Sequence, residues 1–238
     1  MNLLALDTST EVLSLAIQLG EKTFTHSQIA GNASSQLVLP QIQLLLDAAN
    51  IKLSDLNGIA FGAGPGSFTG VRIACGVAQG LGFGANLPVV GVSTLLALAE
   101  ASGEDNVIAC LDARMGEIYH AAFQKHENIW RETLETQVCK PESSPVLAFR
   151  ASQMIMHEKA WVGIGSGWGV YGETLSTIYA QNLTKILAEV TPTAEAILRL
   201  AKPTFIAGLA KPASEAAPIY IRNRVALTLA EREAGQRL

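Results

Sequence analysis

Charge is scarce in this chain of 238 residues: Asp, Glu, Lys and Arg make up 16% of it, and the net charge is −4. With 49% hydrophobic residues, that scarcity excludes a disordered polyelectrolyte and leaves enough apolar side chain for a sizeable core. Length allows one large domain or two smaller lobes. Basic excess is also missing, which argues against unaided binding to nucleic acid, where a cationic face must displace counterions. Cysteine is rare. Cys75, Cys110 and Cys139 are odd in number, far apart and without a CxxC pair, so a reduced, cytosolic protein is expected. Long apolar runs are absent too. The uncharged stretch from Ile73 to Ala99 is broken by Gly76, Gly80, Gly82, Gly84, Asn86 and Pro88 before a membrane span accumulates. The opening Met1-Asn2-Leu3-Leu4 has no basic region, and Asp7 ends its apolar run, so no signal peptide is expected.

What charge there is avoids one region. Between Leu56 and Ala99 the sole charged side chain is Arg72, where the average would place about seven. The same region holds 10 of the 21 glycines.

Leu3–Leu6 reads as a buried strand ending at Asp7, followed by a polar turn, Thr8-Ser9-Thr10-Glu11. Val12–Leu19 and Lys22–Ser27 complete a three-strand meander across Gly20-Glu21. Ser34 or Ser35 caps a helix to about Asn50. A short strand at Gly58–Phe61 then leads through a Gly/Pro loop to a helix starting near Ser67 or Thr69 and ending by Gly84–Asn86. Pro88–Val92 is the next strand, and Thr94–Ala101 a helix. The second half begins again in similar style, with a strand at Val107–Leu111 ending in Asp112, a turn at Gly116 and strands at Glu117–Phe123 and Trp130–Val138. Trp161–Ile164 is a further strand, and helices fall near Tyr171–Ala180 and Thr193–Lys202. Two lobes that each open with a strand ending in Asp suggest a duplicated α/β architecture.

Nucleotide and hydrolase motifs are mostly missing. No lysine lies between Lys52 and Lys125, so the glycine-rich region holds no P-loop. Gly80-Leu81-Gly82-Phe83-Gly84-Ala85 fits the dinucleotide pattern but sits at the end of a helix, where its amides cannot meet a pyrophosphate. There is no Gly-x-Ser-x-Gly elbow. His26, His120, His126 and His157 have no metal-binding spacing and read as surface residues. Asp7-Thr8-Ser9-Thr10 admits two readings. It is a phosphate turn whose carboxylate holds hydrated Mg²⁺, or a hairpin fastened by its own side chains. Gly64-Pro65-Gly66-Ser67-Phe68-Thr69-Gly70-Val71-Arg72 offers a capped helix start that could hold an anion, but its glycines read better as permitting close packing. Arg72 should find a carboxylate or carbonyl partner.

The two N-terminal helices are apolar nearly all round. The first has Asp47 as its sole charge, and the second carries Val71, Ile73, Ala74, Val77, Ala78, Leu81 and Phe83 with Gly76 and Gly80 four apart. A helix covering one sheet needs an apolar stripe on its inner face alone. The surplus calls for a third layer or a partner protein, and the chain has few residues left for a layer.

Asp7-Thr8-Ser9-Thr10, GPGSFTGVR at Gly64–Arg72, Gly91-Val92-Ser93-Thr94-Leu95, LDARMGEIY at Leu111–Tyr119 and Ile219-Tyr220-Ile221-Arg222-Asn223 together resemble the bacterial TsaB (YeaZ) family, in order over most of the chain. The resemblance implies an actin-like (ASKHA) α/β fold of two RNase H-like lobes. These would be an N-terminal lobe at 1–103, a C-terminal lobe at 104–225 whose tail packs back, and a frayed tail at 226–238. It implies a non-catalytic subunit in the synthesis of N6-threonylcarbamoyladenosine at tRNA position 37 (t6A37). That subunit would bind its paralogue TsaD, which performs the transfer, together with the ATPase TsaE, reach tRNA only through the complex, and form a homodimer in isolation. No catalytic residue, metal or required cofactor is implied, although ATP or ADP with Mg could bind at the complex interface. The implied partner face comprises Leu37, Pro40, Gln41, Leu44 and Leu45 of the first helix, and Thr69, Arg72, Ile73, Val77 and Gly80 of the second. Asp7, Thr8, Ser9 and Thr10 would be a vestigial phosphate loop. Ser93-Thr94-Leu95-Leu96 lacks the metal-binding histidines of TsaD-type proteins, and Asp112-Ala113-Arg114 lacks the glycine of a second phosphate loop. Gly163-Ile164-Gly165-Ser166-Gly167 is an adenosine-loop remnant or a strand-end turn. The alternatives are an actin-like ATPase or kinase working through Asp7, and a peptidase, for which neither elbow nor metal motif is present.

Overall fold

The computed structural model describes residues 1–144 and 160–222. Two five-stranded sheets have the same topology. In the first, β1 (Asn2–Asp7), β2 (Val12–Leu19) and β3 (Lys22–Ile29) form the antiparallel meander, and β4 (Gly58–Gly64) and β5 (Val89–Ser93) add in parallel, in the order β3-β2-β1-β4-β5. In the second, β6 (Asn106–Arg114), β7 (Glu117–His126) and β8 (Ile129–Cys139) repeat the meander, with β9 (Trp161–Ile164) and β10 (Leu183–Leu187) parallel beyond β6. The protein is a two-lobed α/β fold in which each lobe repeats the strand order of the other.

Each central strand is covered on both faces, which is why Leu3–Leu6 and Val107–Leu111 read as unbroken apolar runs rather than alternating ones. Alternation still decides which layer each side chain joins. Leu4, Leu6, Leu13, Leu15 and Ile17 face α1 (Ser34–Ala49) and α2 (Phe68–Ala85). Leu3, Ala5, Ala16 and Ala60 point the other way, onto α5 (Ala194–Ile206), through Ala194, Ile197, Leu198, Ala201 and Phe205. The alanines keep that face flat, so α5 approaches closely.

Two further helices complete the packing. α3 (Thr94–Ser102) lies between the sheets, and Leu95, Leu98 and Ala99 join the core that holds Val107, Ala109, Leu111, Phe123 and Ile164. α4 (Ser166–Tyr179) covers the far face of the second sheet with Trp168, Leu175 and Tyr179. Gly163, Gly165 and Gly167 are strand-end packing residues. A Cβ at Gly163 would meet the Trp168 ring, and one at Gly165 or Gly167 would crowd Cys110.

The return of the chain to the first lobe begins at Ala194, well inside the expected C-terminal lobe. After α5, Lys211 bridges to Val89 and the Ile219 N–H donates to the Ala63 carbonyl. Asn223 and the expected tail at 226–238 lie outside the described residues. Among those described, no helix is long and apolar enough to cross a membrane.

Candidate functional site

Two features compete for the role of site: the turn after β1 and the outer face of α1 and α2. The turn is closed. Asp7, Thr8 and Ser9 are fully buried and Thr10 half-buried. Asp7 Oδ1 accepts from the Ser9 amide at 3.0 Å and from Ser9 Oγ at 2.8 Å. Its Oδ2 has no partner among the described residues, and burial pushes the carboxyl up to about 6. The GPGSFTG segment lies directly on the turn: Thr8 Oγ1 donates to the Gly70 carbonyl at 2.6 Å, and the Ser67 amide donates to the Ser9 carbonyl at 2.7 Å. A Cβ at Gly70 would overlap the Thr8 carbonyl, and one at Gly62 would overlap Asp7 Oδ2. A phosphate needs free amides and a hydrated Mg²⁺ needs open space. In the folded turn the Ser9 amide is taken by Asp7, and the carboxylate itself is fully buried.

The second candidate loop is no better suited to phosphate. Asp112 Oδ1 accepts the Arg114 amide at 2.9 Å, and Asp112 pairs with the Arg114 guanidinium at 3.0 Å. Among the described residues no group of three His, Cys, Asp or Glu side chains could hold a metal ion. The dinucleotide-like glycines at 80–85 lie within α2, so their amides serve the helix. His120 corrects the surface reading of the histidines. It is buried in the second sheet, 2.8 Å from the Tyr179 hydroxyl, and desolvation lowers it to about 4. His26 is half-buried beside Gln28 and His126 is exposed, while His157 falls outside the described residues.

The helix face is open. α1 buries Val38, Ile42, Leu45 and Leu46 against the sheet. Leu39 and Leu44 remain 50% and 59% exposed, Pro40 is exposed, and Leu37 and Gln41 are half-buried. Pro40 interrupts the helix bonds on the wet side, where water can satisfy the carbonyl it leaves free. Leu45 corrects one expectation: at 7% exposure it is core, turned toward the sheet and not toward a partner. On α2, Ser67 caps the first turn by accepting from the Gly70 amide at 3.3 Å. Thr69, Arg72 and Gly80 are exposed, and Ile73 and Val77 are half-buried. Nothing lies within 4 Å of where a Cβ would stand at Gly76 or Gly80, so this strip is backbone bared to solvent. α1 and α2 pack against each other on one face of the sheet, which brings the two halves of the expected face side by side.

Arg72 corrects a second expectation. Its guanidinium sits over the Phe68 ring, 3.2 Å from the centroid, and 5.2 Å from that of Tyr220, so among the described residues it is held by aromatic faces in place of a carboxylate or carbonyl. Tyr220 comes from the far end of the chain, and no local pattern in the sequence points to it.

Comparison with known proteins fits this arrangement. The profile of the TsaD family, tRNA N6-adenosine threonylcarbamoyltransferase, matches residues 21–228. The tRNA threonylcarbamoyladenosine biosynthesis protein TsaB of Escherichia coli K12 is 37% identical, across 95% of this chain and 96% of its own. That of Haemophilus influenzae is 38% identical, across 94% and 95%. This chain belongs to the TsaB family. The solved YeaZ structure from Pseudomonas aeruginosa superposes with a TM-score of 0.78 at 36% identity, covering 92% of this chain and 99% of that one. Another, described as similar to peptidase YEAZ and from the same organism, gives 0.82 at 37% identity, covering 93% and 99%.

Proposed function

We propose that this TsaB-family chain is the non-catalytic scaffold subunit of the t6A37 synthase, binding and activating TsaD through the outer face of α1 and α2. The open apolar face carries the reading. Leu39 and Leu44 stand beside a strip at Gly76 and Gly80 where a helix backbone can approach closely, a surface that gains most from cover by another helix pair. The closed Asp7 turn supports the non-catalytic half of the reading, because the fold has put its own loop where an actin-like enzyme keeps phosphate. TsaE joins the TsaB–TsaD pair, tRNA is met only through that assembly in the cytoplasm, and in the absence of TsaD the same face closes on a second copy.

The test is co-purification with TsaD. Leu44→Glu combined with Val77→Asp is expected to abolish the complex on size-exclusion chromatography while the melting transition of the isolated chain persists. Retention of the complex would overturn the assignment. The competing reading, an ATPase or kinase using Asp7, predicts calorimetric binding of Mg-ATP that disappears in Asp7→Ala. The scaffold reading predicts no binding in either, and reconstituted tRNA modification that tolerates Asp7→Asn.

A further inference from the structure

Between the lobes lies a cleft of about 330 Å³, walled by Pro65, Ser93, Leu96, Phe123 and Trp130 and closed along one side by Ile219 and Ile221. In a two-lobed protein that opens and shuts, a ligand supplies the contacts that bridge such a cleft. Here the chain bridges it twice. At one side Glu100, on the interposed helix α3, accepts from Lys125 Nζ and Trp130 Nε1 of the second sheet, both at 2.8 Å. It also accepts from Arg199 Nε of α5 at 2.6 Å. Its carboxylate is nearly buried, so these charge-assisted bonds act in a poorly screened setting.

At the other side runs the segment from Lys211 to Arg222. It is fastened to the first lobe by the Lys211–Val89 bridge, by the Ile219 amide on the Ala63 carbonyl, and by Tyr220 against Phe68 and Arg72. It ends on the second lobe. The Arg222 guanidinium donates to Glu117, to the Ala113 carbonyl at 3.2 Å, and to Met115 Sδ at 3.3 Å. The β6–β7 turn that receives it holds Arg114 and Met115 in the left-handed region, at φ 62° and 58°. Such conformations persist only where the surroundings hold them. The turn offers the Ala113 carbonyl and the Glu117 carboxylate to the Arg222 guanidinium.

We propose that residues 211–222 form a built-in strap that fixes the angle between the lobes, taking the bridging place that a ligand fills in a hinged two-lobed protein. The strap is a property of the single chain, so its test uses the isolated protein without TsaD. Spin labels at Thr23→Cys in the first lobe and Thr177→Cys in the second, both exposed sites, report the lobe separation in a Cys139→Ser background, with the labelled chain diluted into excess unlabelled protein so that a second copy adds no distance. The parent protein should give one narrow distance distribution, unmoved by millimolar Mg-ATP. Arg222→Gln with Tyr220→Ala should broaden or split it, and Arg222→Lys, which keeps the charge but loses the fork, should broaden it less. An unchanged distribution in Arg222→Lys and in a folded double variant overturns the strap. A parent distribution that Mg-ATP shifts overturns the claim that it stands in for a ligand.

Discussion

The two lobes share a strand order but treat the end of their first strand in opposite ways. In the first, β1 ends in Asp7, and the GPGSFTG segment is pressed onto the following turn until no side-chain atom fits at Gly62 or Gly70. In the second, β6 runs past Asp112 into an exposed turn that is held from outside by Arg222. One end of the cleft has been sealed by a neighbouring loop, the other by the tail.

The comparison can be broken most sharply by pH. Each lobe buries one mis-solvated group, and the two have opposite signs. Asp7 is raised from 3.8 to about 6 in the folded state, so the native protein holds a proton that the unfolded chain gives up between those values. Its contribution to stability therefore falls as pH rises from about 4 to 6. His120 is lowered from 6.5 to about 4, so there the unfolded chain takes up the extra proton, and stability falls as pH drops through the same window. Each effect is on the order of 3 kcal/mol and they largely cancel. Denaturant melts between pH 4 and 7.5 should show a flatter profile for the parent protein than for either single variant. Asp7→Asn should gain stability near neutrality and then lose it on acidification, and His120→Gln should show the reverse slope. A parent-like flat profile in Asp7→Asn would show that the carboxyl is not desolvated.

A smaller effect distinguishes the two turns. Gly70→Ala forces a Cβ into the Thr8 carbonyl and should cost about 2–3 kcal/mol, measured by chemical denaturation. Gly116→Ala, in the open turn with nothing nearby but at φ 75°, should cost about 1 kcal/mol. Smallest of all, Arg72→Ala removes an exposed cation from Phe68 and Tyr220, a loss of about 0.5–1 kcal/mol in the same assay.

Local chemistry made much of this fold legible. The meander, the Ser67 cap and the stop of α2 at Asn86, which lies in the left-handed region, all depend on residues within a few positions of each other. Features joining distant segments were not legible. β10 is a largely exposed edge strand, Leu183–Leu187, without the apolar alternation that marks its neighbours, so no periodic signal points to it. Leu45 was assigned outward because a helix apolar on every side does not declare its inner face; the sheet does. No local pattern gives the contacts of Glu100 and Arg222, since their partners come from β7, β8 and α5 in one case and from the β6–β7 turn in the other. The open face of the candidate site was foreseeable from surplus apolar residues, whereas the closing of the Asp7 turn needed the contact between Thr8 and Gly70.

The position of α5 also bears on how the protein is made. The alanine-rich side of the first sheet is finished by residue 93, but the helix that covers it ends at Ile206. At 5–20 residues per second a ribosome needs roughly 6–23 s to supply the missing cover. Throughout that interval the nascent first lobe presents a bare, flat sheet face to the cell, and a fragment stopping at 103 would never acquire the helix that shields it.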